Sequence, residues 1–191
     1  MQSMGKATRS REACCATIGL SLPATFEALT GESDPKRAAR FRHLFVEKAD
    51  QVMTSGTHLF AGVDDLIRRL NSSGSILGIL STKFRYRIRQ ILDKYALADK
   101  FDIIVGGEDV EKHKPDPEGM RLFLSKASLA PDQAILVGDS LVDAETAHRS
   151  GVDFVAVLTG TTAAEEFADF APRAVLNSVM EIEAYAGRSA V

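Results

Sequence analysis

The sequence predicts an α/β protein: a doubly wound, Rossmann-like parallel sheet joined to a small helical unit. Three observations lead there. From residue 60 onward, short apolar runs alternate with helical patterns across short connections, and that alternation folds as a parallel sheet covered on both faces. Before about residue 56 only helical patterns occur. The chain has 191 residues, 45% of them hydrophobic, enough for one domain with a small appendage and a real core.

Taken in order, the clearest early helix is "SDPKRAARFRHLFVEKADQVM". Asp34 suits the N-cap and Pro35 the first helical position. Ala38, Phe41, Phe45, Ala49 and Val52 recur at three- and four-residue steps and predict one packing face, with Lys36, Arg37, Arg40 and Lys48 mostly elsewhere. The expected division is a helical unit over 1–59 and an α/β core over 60–191. Within the core, "GVDDLIRRLNSSG" is an amphipathic helix and "SILGILS" a strand over 75–81. "KFRYRIRQILDKYAL" is a helix and "FDIIVGG" a strand over 101–107. "DPEGMRLFLSKASL" is a helix opened by Asp116 and Pro117. "AILVGD" is a strand, "SLVDAETAHRSG" a helix ending at Gly151, and "DFVAVLTG" a strand. In such sheets ligands sit outside the carboxyl ends of the strands, so the residues just past each strand carry the chemistry.

A net charge of -3 gives no general attraction to nucleic acid or anionic membrane. Cys14 and Cys15 are adjacent, which suits neither zinc nor a structural disulfide, so a reducing compartment is expected. No apolar run approaches the ~20 residues of a membrane span, and no signal-peptide core is evident, so the expected location is cytoplasmic. His43, His58, His113 and His148 lack metal-ligand spacing, and only His113 falls near the strand ends. There is no GxSxG and no Walker lysine loop.

Ser81, Thr82 and Lys83 follow the first core strand. Hydroxyls beside a helix N-terminus cradle an oxyanion, but Ser and Thr are equally favoured as plain helix caps. Gly106 and Gly107 follow the second strand, and Lys114 stands before Pro115: either a point charge toward a shared anion or a solvated lysine. Gly138-Asp139-Ser140 follows the third. Mg2+ binds one or two carboxylates and keeps several waters, which suits Asp139. Asp143 either supports that metal or, in Ser140-x-x-Asp143, caps its own helix.

A hydroxyl past one strand, then "KPDP", then "GDSLVD" past the next: in this order the motifs resemble the haloacid-dehalogenase-like hydrolase superfamily, and most closely its phosphoglycolate-phosphatase-type branch. The likeness runs from about Arg11 to Tyr185, and it implies that the helices within 1–59 form a small helical cap. It implies that Ser81, with Thr82 and Lys83 beside it, binds the transferring phosphoryl group. It implies that Lys114 neutralises an aspartyl-phosphate, and that Asp139 with Asp143 holds Mg2+. The implied activity is a Mg2+-dependent phosphomonoesterase acting on a small phosphorylated metabolite. A signalling receiver domain uses similar residue types, but there the acids precede the hydroxyl and the lysine.

One departure is serious. The superfamily's first motif is a strand ending in Asp-x-Asp, whose first Asp is the nucleophile and second the acid/base. No Asp-x-Asp occurs in this sequence, and Asp64-Asp65 lies in a helical pattern. That strand normally lies between those ending at Ser81 and Asp139. Without it, these two strands either lose a hydrogen-bonding neighbour or pair with each other, and an exposed edge favours a homodimer. The expectation is a truncated reading frame, short by about 20 residues, and a chain that is catalytically dead or nearly so. The alternative is a non-catalytic fragment or pseudoenzyme that binds a phosphorylated ligand or partner.

Overall fold

The computed structural model describes residues 4–185. The ends of the expected 1–59 cap and 60–191 core lie outside those residues. The chain divides into two compact units between Thr57 and His58. Among the described residues no helix is long and apolar enough to cross a membrane.

The first unit is helical: α1 (Arg11–Cys15), α2 (Leu22–Thr30) and α3 (Pro35–Gly56). Its boundaries follow local chemistry. Asp34 accepts the Lys36 N–H at 2.8 Å ahead of Pro35. Gly31, at φ 71°, closes α2 in the left-handed conformation that glycine adopts without penalty. Phe26 and Phe41 join α2 to α3, with ring centroids 5.6 Å apart. The predicted packing face of α3 is only partly buried. Phe41 and Ala49 are covered, but Phe45 and Val52 are 40% and 46% exposed. The reason is length: α2, about 14 Å long, cannot cover the roughly 33 Å of α3.

The second unit runs α4 (Val63–Ser72), β1 (Gly78–Leu80), α5 (Arg85–Lys94), β2 (Ile103–Val105), α6 (Glu118–Ala127), β3 (Ile135–Gly138), α7 (Leu141–Ser150), β4 (Asp153–Val157) and β5 (Ala174–Leu176). The alternation and the parallel pairing follow the sequence pattern. The strands are shorter than the apolar runs that announce them, because only the stretches with a paired neighbour form ladders. β5 was not foreseen: "AVL" is too short to stand out, and it forms only against β4.

The sheet is in two pieces. β1 pairs with β2, and β3, β4 and β5 form a second ladder in that order. Among the described residues no backbone hydrogen bond joins β1 to β3. Of the two outcomes left open by the sequence, direct pairing therefore does not occur. The pieces are instead held by shared helices. Leu80 of β1 and Leu136 of β3 both pack against one cluster formed by Met120 and Leu124 of α6 with Val152. On α4, Leu66 belongs to the cluster against which Leu70, Ile135 and Val137 pack, while Ile67 and Ile79 both pack against the cluster of Ile88, Leu92, Leu97 and Ile104. Alternate residues of a strand face opposite ways, and α6 packs on β1 and β2 while α7 packs on β3 and β4.

Gly78 belongs to the α6 face, and a Cβ there would lie 1.8 Å from the Phe123 ring. Gly78→Ala therefore has to displace that ring. The expected cost is roughly 1–3 kcal/mol of overpacking, readable as a lower urea midpoint with an unchanged slope.

Candidate active site at the strand ends

The turn after β1 is held by the backbone. The Ser81 N–H donates to the Val105 carbonyl at 3.0 Å, and Ser81 Oγ accepts the Lys83 N–H at 3.1 Å. α5 begins only at Arg85, behind Phe84, which contributes no side-chain cap. Ser81 and Thr82 are thus not the caps of α5. That task falls to Glu108, whose two carboxylate oxygens accept the Arg85 N–H at 2.8 and 3.0 Å. Asp109 binds the Arg85 guanidinium at 2.8 Å and the Gly106 N–H at 2.8 Å. Neither acid was singled out from sequence. The available signal was two acids directly past a strand, but their partner is 23 or 24 residues earlier, and no local motif links such distant positions.

Gly107 is needed for space rather than for an unusual dihedral. A Cβ there would sit 2.5 Å from the Thr82 carbonyl oxygen. The close approach ties the turn after β2 to the turn that carries Ser81. His113 lies at the same junction, 3.7 Å from where that Cβ would be, and its Nδ1 is buried without a hydrogen-bond partner. Gly107→Ala pushes two backbones apart. It is expected to destabilise by about 1–3 kcal/mol and to loosen the Ser81 turn, measurable as faster amide exchange at Lys83.

Lys114 is not a solvated surface residue. Its Nζ meets Asp143 Oδ1 at 2.5 Å, and the two side chains are only 13% and 11% exposed. The other oxygen, Oδ2, accepts the Ser140 hydroxyl at 2.6 Å, while Ser140 Oγ accepts the Asp143 N–H at 3.3 Å. Asp143 therefore caps α7 through Ser140 and also neutralises Lys114. The pair joins the segment leaving β2 to the helix leaving β3, which puts the carboxyl ends of both sheet pieces on one side.

Asp139 differs from Asp143. It is exposed, has no hydrogen bond or ion pair among the described residues, and lies against Gly160, where a Cβ would be 2.5 Å from Oδ2. For Mg2+ the donor set is incomplete. Asp139 is free, both oxygens of Asp143 are engaged, and no group of three His, Cys, Asp or Glu side chains converges among the described residues. One free carboxylate plus water is the low end of the donor set that Mg2+ takes, so Asp139 by itself would hold it weakly. Thr82 and Lys83 flank Ser81 in its turn, Lys83 being exposed.

The comparisons with known proteins agree with this architecture. A family profile described as haloacid dehalogenase-like hydrolase matches residues 1–157. The chain is 32% identical to a phosphoglycolate phosphatase of Salmonella choleraesuis over 141 residues, 74% of this chain and 56% of that protein. It is 28% identical to the pyrophosphatase PpaX of Bacillus velezensis over 172 residues, 90% of this chain and 78% of that one. The chain thus spans about half the length of the first of these relatives. Among solved structures, a Bacteroides fragilis protein assigned to the haloacid dehalogenase-like hydrolases superposes with a TM-score of 0.90 at 36% identity, covering 93% of this chain and 85% of that one. CbbY from Rhodobacter sphaeroides, solved with phosphate, shares the fold at TM-score 0.77 and 22% identity, over 95% of this chain and 84% of its own. With most of its length matched by the family profile and its fold shared with solved members, the chain belongs to the haloacid dehalogenase-like hydrolases.

Proposed function

We propose that the chain is the greater part of a Mg2+-dependent phosphomonoesterase of the phosphoglycolate-phosphatase type, acting on a small phosphorylated metabolite, and that the 191 residues alone bind a phosphoryl group without turning it over. The observation that carries this reading is the largely buried Lys114–Asp143 pair at the strand ends, in a unit that also carries Ser81 and Asp139 past its strands. A fixed ammonium and a hydroxyl aimed at a shared anion supply the electrostatic stabilisation that phosphoryl transfer needs. Asp143 holds the Lys114 ammonium in place, so the cation is positioned before any ligand arrives. The same carboxylate offsets its charge, which keeps the affinity of the isolated chain for phosphate low.

What the residues do not supply is a nucleophile. The covalent step of this chemistry uses a carboxylate, and the sequence offers no Asp-x-Asp. No step of transfer is therefore assigned to the chain by itself. Mg2+, when bound, offsets charge on the phosphoryl oxygens. Asp139 would be one of its ligands, and further carboxylates are required for useful affinity. The second reading, a non-catalytic phosphate-binding protein, is favoured by that same missing motif. It parts from the first in whether added carboxylates restore turnover.

Orthophosphate titration followed by 31P NMR tests the reading. The expected dissociation constant is in the millimolar range, about -4 kcal/mol. Ser81→Ala removes one hydrogen bond and is expected to weaken binding about five- to tenfold while leaving the fold intact. Equal affinity in the two proteins, or no binding at all, would count against a phosphoryl site at Ser81.

A further inference from the structure

We propose that His113 is a positioning residue of the phosphoryl site: its ring nitrogen Nδ1 donates a hydrogen bond to the Thr82 carbonyl when a phosphoryl group is bound, and so fixes the hydroxyl turn against the lysine segment. The proposal rests on the phosphoryl site at Ser81 and names a residue that shapes it.

Three observations carry it. First, two polar groups without partners lie at one junction. His113 Nδ1 is buried and unpartnered, and the Thr82 carbonyl accepts no hydrogen bond among the described residues. Both lie beside Gly107. A Cβ there would be 2.5 Å from the Thr82 oxygen and 3.7 Å from His113 Cε1, the ring carbon bonded to Nδ1. Second, the hydroxyl turn is pinned on either side of Thr82 but not at it. The Ser81 N–H donates to the Val105 carbonyl at 3.0 Å, and the Lys83 carbonyl accepts the Gly107 N–H at 2.9 Å. Third, the lysine segment holds the His113 backbone in place. The Glu118 carboxylate accepts the Glu111 and Lys112 N–H groups at 2.9 and 3.0 Å, and the His113 carbonyl accepts the Asp116 N–H at 3.0 Å.

A buried nitrogen without a partner costs free energy that a hydrogen bond recovers. Nδ1–H donates and a carbonyl accepts, so the two groups at this junction complement each other. The lysine segment is fixed, and the Thr82 peptide is therefore the side that moves. What holds it now is local: Ser81 Oγ accepts the Lys83 N–H at 3.1 Å. An anion that accepts that N–H in place of Ser81 Oγ frees the turn to settle onto His113. Anion binding and closure thus favour each other, and by linkage equally in both directions. Lys114, beside His113 in the chain, is already held by Asp143. The ring therefore acts through the turn and not on the anion.

The test titrates orthophosphate into the full chain and three variants, followed by 31P NMR. His113→Asn places an amide nitrogen where Nδ1 stands, His113→Gln places one near Nε2 instead, and His113→Leu keeps bulk without a polar atom. The Asn variant is expected to bind within about twofold of the unaltered chain, and the Leu and Gln variants about three- to tenfold more weakly. A packing role alone gives the opposite order, with Asn, the smallest side chain, binding worst. In the unaltered chain, the 15N resonance of His113 Nδ1 should shift in step with phosphate saturation. Undiminished binding by the Leu variant, an Asn variant as weak as Leu, or a resonance that ignores phosphate would overturn the proposal. If Ser81→Ala still weakens binding in that case, the phosphoryl site stands without His113. If the unaltered chain binds no orthophosphate, the site and this role for His113 fall together.

Discussion

Asp143→Ala is expected to lower the stability of the second unit by about 3 kcal/mol. Removing this carboxylate leaves the Lys114 ammonium in a pocket where its side chain is only 13% exposed, with no other acid at its Nζ among the described residues. Breaking one half of a largely buried pair costs more than the pair contributes, because the survivor keeps its desolvation penalty. The Ser140 hydroxyl loses its acceptor as well, although Ser140 Oγ still caps α7 through the backbone N–H of residue 143. Relaxation is limited on the strand side, where Gly138 is so close that a Cβ would lie 2.4 Å from Asp143 Cβ. Urea unfolding should show the loss, and a thermal scan should show a fall of roughly 6–12 °C for a chain of this size. The double variant Lys114→Met with Asp143→Leu should recover most of it, since an apolar pair of similar volume carries no unpaired charge. A single-variant loss below about 1 kcal/mol would mean the pair is effectively solvated.

The β–α alternation was legible because amphipathic periods and capping residues act locally. Asp34 before Pro35, Asp116 before Pro117 and Gly151 after α7 each act on the turn beside them, and all three stand where the pattern put them. The order of hydroxyl, lysine and acid past successive strands was equally legible, and it is enough to name the family. Side-chain partnerships across elements were not. Lys114 read as either an anion contact or a solvated lysine, and Asp143 as either a cap or a metal support. The structure pairs each with the other across 29 positions, a relation that no local spacing encodes. Glu108 capping α5 from the next strand's exit was hidden for the same reason. The exposed Phe45 and Val52 make the complementary point: periodicity gives a helix an apolar face, but the neighbour's length decides how much of it is covered.

The second large effect concerns catalysis. In covalent mechanisms, deleting the nucleophile removes on the order of 10^6 in turnover, leaving only what binding and charge stabilisation provide. In the proposed function Ser81 and Lys114 serve as the binding and charge-stabilising groups, while Asp139 is a free carboxylate and Asp143 is occupied as the counter-ion of Lys114. Asp64 and Asp65 are exposed in the first turn of α4 and cannot substitute. The most direct measurement is hydrolysis of p-nitrophenyl phosphate by the 191-residue chain with Mg2+ in excess. The account predicts a rate indistinguishable from buffer, unchanged by Asp139→Asn. Clear turnover that disappears with Asp139→Asn would contradict it, by showing that these residues assemble a complete site without the missing carboxylates.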